Sequence, residues 1–159
     1  MLEKKFLEKT LPKCLVKINY MEPNLISGNC HKDKRGHLFY NNDFDLTNIK
    51  RMYVIENHSI DFVRAWQGHK VEQRWFSVIQ GCFKIQLIAI DNWDKPSETL
   101  PRLDYVLESA TLDVLHIPAG YVSSIQALEE KSKLVVMADY QLGELNDEFR
   151  FPIDYFKRE

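Results

Sequence analysis

The spacing of turn-forming residues constrains this chain more than any other feature. From Arg51 onward, short apolar and β-branched runs alternate with Gly, Pro, Asn or Asp, and no helical stretch of about 10–15 residues intervenes. Strands are expected at Met52–Ile55 and Ile60–Trp66, which frame an Asn57-His58 turn. Trp75–Ile79 and Phe83–Ile90 read as a hairpin across Gln80-Gly81. Further strands follow at Leu103–Leu107, Val114–Ile117, Ser123–Leu128 and Leu134–Ala138, and an earlier one is expected at Cys14–Tyr20. Only the last twenty residues read as helical in part. This frequency of strands argues for an all-β antiparallel sandwich or barrel and against a βαβ fold. One domain spanning 1–159 is expected, with an N-terminal arm or edge strand over 1–28, a barrel over 29–140 and a partly helical or irregular tail over 141–159.

Composition narrows the function classes. The 159 residues carry 21 Lys+Arg against 23 Asp+Glu, which gives no broad electrostatic footprint for nucleic acid or an anionic membrane. Three widely spaced cysteines, Cys14, Cys30 and Cys82, fit reduced thiols better than a disulfide framework. The first ten residues are charged where a secretory leader is apolar, and no run is long enough to span a bilayer. A cytoplasmic protein is expected.

The segment Arg64-Ala-Trp-Gln-Gly-His-Lys70, followed by Glu72, Arg74 and Trp75, concentrates guanidinium, imidazole, ammonium and carboxylate groups among aromatic rings. Such a mixture suits a ligand with a planar base and phosphates. The same residues also read as a solvated edge strand. Strict alternation places Gln67 and His69 on one face and Arg64, Trp66 and Lys70 on the other, unless a bulge intervenes. The second informative segment, His116-Ile-Pro-Ala-Gly-Tyr121, is a turn signal between two strands. His31, His37, His58 and His116 fit no catalytic spacing and read as structural or exposed.

Together the two segments have the order of the cupin motifs, a His-x-His cluster followed by Pro-x-Gly-x-x-His. Here Gln67 occupies the first histidine position and Ser123 the last. Metal-binding cupins need about three imidazoles and a carboxylate. His69 and Glu72 alone do not supply them, so a metal-free jelly-roll barrel is expected, with no cofactor.

Adding Asp33-Lys-Arg-Gly36, Ile49-Lys-Arg-Met-Tyr-Val-Ile55 and Ile79-Gln-Gly81, the chain resembles the nucleotide-sugar cupins over roughly residues 30–140. These are the dTDP-4-dehydrorhamnose 3,5-epimerases and, closer in spacing, the WxcM-like dTDP-4-keto-6-deoxyhexose 3,4-ketoisomerases. Arg64, His69 and Lys70 match the ketoisomerase motif; Ala65 and Gln67 depart from it. The resemblance implies a homodimer acting on a dTDP-linked 4-keto sugar by abstraction of the C3 proton. On that reading His69 is the base, partnered by Asp154 or another late carboxylate that fixes its tautomer. Arg74 stabilises the enediolate, Tyr140 returns a proton and Gln67 hydrogen-bonds the sugar or orients His69. Arg64, Lys70, Trp66, Glu72 and Ser123 are the expected substrate contacts.

Three function classes follow: a sugar-nucleotide epimerase or ketoisomerase of deoxysugar and polysaccharide biosynthesis, a nucleotide-sugar-binding cupin without turnover, and a metal-free cupin with an unrelated small ligand.

Overall fold

The computed structural model describes residues 21–157 and contains twelve strands. They are β1 (Asn24–Ile26), β2 (Asn29–Asp33), β3 (Gly36–Tyr40), β4 (Arg51–Ile55), β5 (Val63–His69), β6 (Arg74–Gln80), β7 (Cys82–Ala89), β8 (Leu103–Glu108), β9 (Val114–Ile117), β10 (Tyr121–Ala127), β11 (Lys133–Ala138) and β12 (Phe149–Arg150). All pairings are antiparallel. One sheet runs β1-β9-β6-β11-β4 and a second β12-β5-β10-β7-β8, while β2 and β3 form a separate hairpin. The architecture is the expected jelly-roll barrel. The expected strand at Cys14–Tyr20 lies outside the described residues.

The core follows from period-two alternation in the two facing sheets. Phe76, Val78, Leu115, Ile117, Leu134 and Val136 from the first sheet meet Phe83, Ile85, Leu87, Tyr121 and Ile125 from the second. Alternate residues on the outer faces would be solvated in a bare sandwich, yet both outer faces carry their own apolar clusters. Trp75, Val114 and Met137 form one with Ile26, Phe44 and Ile49. Trp66, Ile88, Ile90 and Val122 form the other with Phe151, Tyr155 and Phe156 of the tail.

Three expectations change. The Gln80-Gly81 turn does not close a hairpin, because β6 and β7 lie in different sheets. Gly81 sits at φ +70° and a methyl group there would meet the Ser132 hydroxyl, so the turn is a tight corner carrying the chain across the barrel. Strong strand signals on both sides of a turn do not distinguish a corner from a hairpin. Likewise β4 and β5, flanking Asn57-His58, join opposite sheets. Of the two forms expected for the tail, the described residues take the irregular one, through β12, which pairs with β5, Phe149 opposite Gly68 and Arg150 opposite Gln67.

The third change concerns β5 itself. Opposite β10, Ser123 pairs with Gln67 but Ile125 pairs with Arg64, so three steps along β5 match two along β10. This bulge shifts the alternation, and Arg64 faces inward with Gln67 and His69 rather than away from them. Trp66 and Gly68 stay on the outer face, where Gly68 admits Val122.

A methyl group at Gly68 would sit 2.2 Å from the Tyr121 carbonyl oxygen and 2.6 Å from Val122 Cα. Gly68→Ala is therefore expected to lower unfolding stability by about 2–3 kcal/mol in urea denaturation. A change below about 0.5 kcal/mol would show that β5 and β10 are not packed this closely.

Candidate active site

The inward face of β5 opens onto a cavity of about 980 Å³ between the two sheets. Phe76, Ile117, Tyr121, Ile125 and Val136 of the core line its inner wall, and Arg64, Gln67, His69, Glu72, Arg74, Ser123 and Arg150 supply the polar chemistry. Tyr53 of β4 and Tyr121 of β10 bring phenol groups to the same space.

At its inner end lies a buried charged cluster. Arg74 opens β6 and points inward because it shares the parity of Phe76 and Val78. A guanidinium cannot shed its proton, so burial at 6 % exposure demands compensation. Its Nη1 pairs with Glu72 Oε1 and its Nη2 lies 3.0 Å from His69 Nε2. Glu72 Oε1 is also 3.7 Å from Arg51 Nη2. Burial lowers the Arg74 pKa from its ordinary value, with Tyr53 pulling the other way and Arg51 adding to the decrease.

His69 is held between two partners of opposite kind. Its Nδ1 lies 2.9 Å from the Asp147 carbonyl, which only accepts, while Arg74 only donates. The ring is consequently neutral, with the proton on Nδ1 and the Nε2 lone pair accepting from Arg74. Burial, then the neighbouring guanidinium, pushes the His69 pKa down to about 4.

Asp147 anchors the turn that carries this pair. Its Oδ1 accepts from Lys70 N at 3.1 Å and its Oδ2 from Val71 N at 2.8 Å and Glu72 N at 2.7 Å. The acceptor at His69 Nδ1 is the main-chain carbonyl of Asp147 and not a late carboxylate, and Asp154 is exposed. The sequence offered no signal for Asp147, because its partners are backbone amides about 75 residues away.

The remaining expected site residues divide. Gln67, Arg64, Ser123 and Glu72 line the cavity. Arg64 Nε donates to Asn57 Oδ1 at 3.1 Å, and Ser123 Oγ donates to the Gln67 carbonyl at 3.3 Å. Trp66 borders the cavity, but its indole is committed elsewhere: Nε1 donates to the Ile153 carbonyl, Phe156 meets the ring edge-on and Arg102 covers its face at 5.0 Å. Lys70 is exposed and does not line the cavity, because the turn after β5 directs it outward. Tyr140 also lies off the lining, following β11 with the Lys50 ammonium 5.2 Å from its ring centre. Arg150 was missed; it lines the cavity because β12 pairs with β5 and places it opposite Gln67.

His116 is structural: it stacks on Trp75 at 4.9 Å between ring centres, and its Nε2 lies 2.7 Å from Gln73 Oε1. Among the described residues no His, Cys, Asp and Glu group is arranged to hold a metal ion. Among the described residues there is no helix long and apolar enough to cross a membrane.

No protein-family model matches the chain, and no curated protein matches its sequence. Solved structures do. A mutant of the 3,4-ketoisomerase QdtA from Thermoanaerobacterium thermosaccharolyticum, in complex with TDP-4-keto-6-deoxyglucose, superposes at TM-score 0.64 and 23 % identity, over 84 % of this chain and 91 % of that one. The WlaRB TDP-quinovose 3,4-ketoisomerase from Campylobacter jejuni does so at 0.62 and 17 %, over 84 % and 96 %. The dTDP-4-dehydrorhamnose 3,5-epimerase from Bacillus anthracis, with TDP and PPi bound, gives 0.65 and 13 %, over 83 % and 80 %. These are the enzyme types whose motifs the sequence resembles, and at these identities the likeness is one of fold.

The depressed His69 pKa has a signed consequence. Between pH 6.5 and about 4 the unfolded chain binds a proton that the folded His69 refuses, so stability falls as pH drops through that window. The loss is expected to be on the order of 2–3 kcal/mol. His69→Asn should flatten that part of the stability profile from urea melts at pH 7 and pH 4.5; an unchanged slope would contradict the assignment.

Proposed function

We propose that this protein is a sugar-nucleotide isomerase or epimerase that acts on a dTDP-linked 4-keto-6-deoxyhexose. The observation that carries the reading is the buried Glu72–Arg74–His69 cluster at the end of a cavity whose polar wall includes Arg64 and Arg150. Nucleotide-sugar complexes of proteins with this fold support the choice of ligand.

A 4-ketone acidifies the hydrogen on C3. His69 Nε2 takes that proton, the C–H electron pair moves into the C3–C4 bond, and the carbonyl electrons move onto O4. Arg74, already preorganised by Glu72, donates to the developing oxyanion. As the ketone oxygen takes over an Arg74 N–H, the Nε2 lone pair is released toward the sugar ring. Return of a proton to C4, with the O3 proton passing to O4, completes a 3,4-ketoisomerisation; return to the opposite face of C3 completes a 3-epimerisation. Tyr53 and Tyr121 are the hydroxyls placed for the return, in the role first given to Tyr140. Gln67 and Ser123 hydrogen-bond the sugar, and Arg64 and Arg150 hold the diphosphate, where guanidinium groups engage oxygens bidentately. A homodimer is part of this reading. It is supported by the edge strand β4, which leaves Met52 and Val54 exposed.

A second reading is a nucleotide-sugar-binding protein without turnover. It is favoured by the resting contact between Arg74 and His69 Nε2, and by Gln67, which cannot ionise.

Incubation with dTDP-4-keto-6-deoxyglucose in deuterated buffer separates the two. The enzyme reading predicts deuterium incorporated from the solvent, at C4 of a ketoisomerised product or at C3 of an epimerised product or recovered substrate, lost by about 10²-fold or more in His69→Asn and in Arg74→Gln while dTDP still binds. Tight dTDP binding without exchange in the unaltered protein would leave the second reading, and no dTDP binding would overturn both. Arg64→Ala is expected to weaken dTDP by about tenfold in calorimetry, the value of one charge-assisted contact; unchanged affinity would place the diphosphate elsewhere.

A further inference from the structure

We propose that Tyr121 returns the proton on the same face of the sugar from which His69 removes it, so that the reaction is a 3,4-ketoisomerisation that leaves the new C4 hydroxyl axial. The inference rests on the reading of His69 as the base. It assigns the acid, the face and the product that this reading leaves open.

The two walls of the cavity are unlike. On the second sheet, β10 and β5 pair in register, with Tyr121 opposite His69 and Ser123 opposite Gln67. All four residues line the cavity. Cross-strand partners carry their Cβ atoms about 4.5–5.5 Å apart, so phenol and imidazole rise side by side from one surface. The Ser123–Gln67 rung follows about 6.6 Å along the strands, the rise of two residues, and supplies hydrogen-bonding groups to the sugar on that same surface.

The wall from the first sheet presents Arg74 among Phe76, Ile117 and Val136, with Ile117 the register partner of Arg74 on β9. A guanidinium donates hydrogen bonds without giving up its proton, and the three apolar side chains have none to give. Glu72 is committed to the guanidinium groups of Arg74 and Arg51. Tyr53 is the phenol of that wall. It stands on the edge strand β4, 40 % exposed, with the Arg51 guanidinium 5.7 Å from its ring centre. Tyr121 is 6 % exposed. The phenol beside the base is therefore the one sheltered from water.

Stereochemistry then sets the outcome. In the chair of 4-keto-6-deoxyglucose the C3 hydrogen is axial, and His69 Nε2 takes it from the face turned to the second sheet. A proton put back on C3 from that face regenerates the substrate, so 3-epimerisation needs an acid on the opposite wall. At C4 the same face is productive. The O3 proton passes to O4, the O3 electron pair forms the C3 carbonyl, and the electrons of the C3–C4 double bond take the Tyr121 proton onto C4. When the product leaves, the tyrosinate takes a proton from water and the imidazolium gives one up, which restores both groups. Hydrogen enters C4 on the face from which C3 lost it, and the C4 hydroxyl is left axial, the galacto configuration. Delivery from the Tyr53 wall would leave it equatorial, the gluco configuration.

The test is incubation of unaltered protein and Tyr121→Phe with dTDP-4-keto-6-deoxyglucose, in ordinary and in deuterated buffer, with the sugars read by NMR. The unaltered protein is expected to give a 3-keto product that carries solvent deuterium at C4 and, in ordinary buffer, shows the small H4–H5 coupling of an axial hydroxyl. Tyr121→Phe keeps the ring in the core and removes only the hydroxyl. It should lower product formation by about 10²-fold, while deuterium continues to enter C3 of the recovered substrate through His69 and Arg74. A merely structural role for Tyr121 would lower both processes together and overturn the proposal. An equatorial C4 hydroxyl or a C3 epimer from the unaltered protein would overturn it whether or not the variant folds, and would leave His69 as the base. So would undiminished product formation by Tyr121→Phe. Neither exchange nor product from the unaltered protein would overturn the proposal together with the enzymatic reading beneath it.

Discussion

A guanidinium buried inside a β-barrel is the constraint on which the rest of this site depends. Arg74 takes an inward position of β6 that the alternation of the sheet would otherwise give to an apolar side chain such as its neighbours in register, Phe76 and Val78. Burying a charge is tolerated only when it is paired and hydrogen-bonded. Glu72 supplies the paired charge and His69 the second acceptor. Each of these must then be held by something else, and that requirement leads out of the barrel to Asp147 in the tail. The cluster costs stability wherever its partners are absent, and under the proposed function its positive charge serves a developing oxyanion.

The strand pattern was largely legible in the sequence. Val114–Ile117 is a strand with the bounds expected of it, and the elements around Trp75, Phe83 and Leu134 differ by only a residue or two at their ends. Their apolar alternation is set by the inner faces of two sheets, and inner faces dominate the sequence signal. What the local pattern did not carry was which sheet each strand joins. A Gly at positive φ serves a hairpin and a barrel corner equally, so Gln80-Gly81 looked like the former and is the latter. The hairpin β2–β3 was missed for a different reason: Leu38 and Phe39 are exposed, and no buried face imposes a period on the segment.

For the site, residue types clustered in sequence were informative and residues joined only by folding were not. Gln67, His69, Glu72 and Arg74 lie within one short stretch and meet in the cavity. Arg64 joins them through the bulge in β5, which no alternation rule foresees. Lys70 belongs to the same stretch and points away, since the turn after β5 ends the strand geometry. Tyr140, Asp147 and Arg150 show the other side of the problem. The tail's route over the barrel decides their placement, and its anchors are the backbone amides and carbonyls of residues 66–72, which leave no trace in side-chain pattern.

The most direct test of the account is a crystal structure of the protein with a dTDP-4-keto-6-deoxyhexose. It should place the diphosphate between Arg64 and Arg150, the 4-keto oxygen on Arg74, and C3 about 3.5 Å from His69 Nε2, a distance at which proton transfer is geometrically ready. A nucleotide bound outside this cavity, or a sugar ring held away from His69 with the Arg74–His69 contact intact, would contradict it.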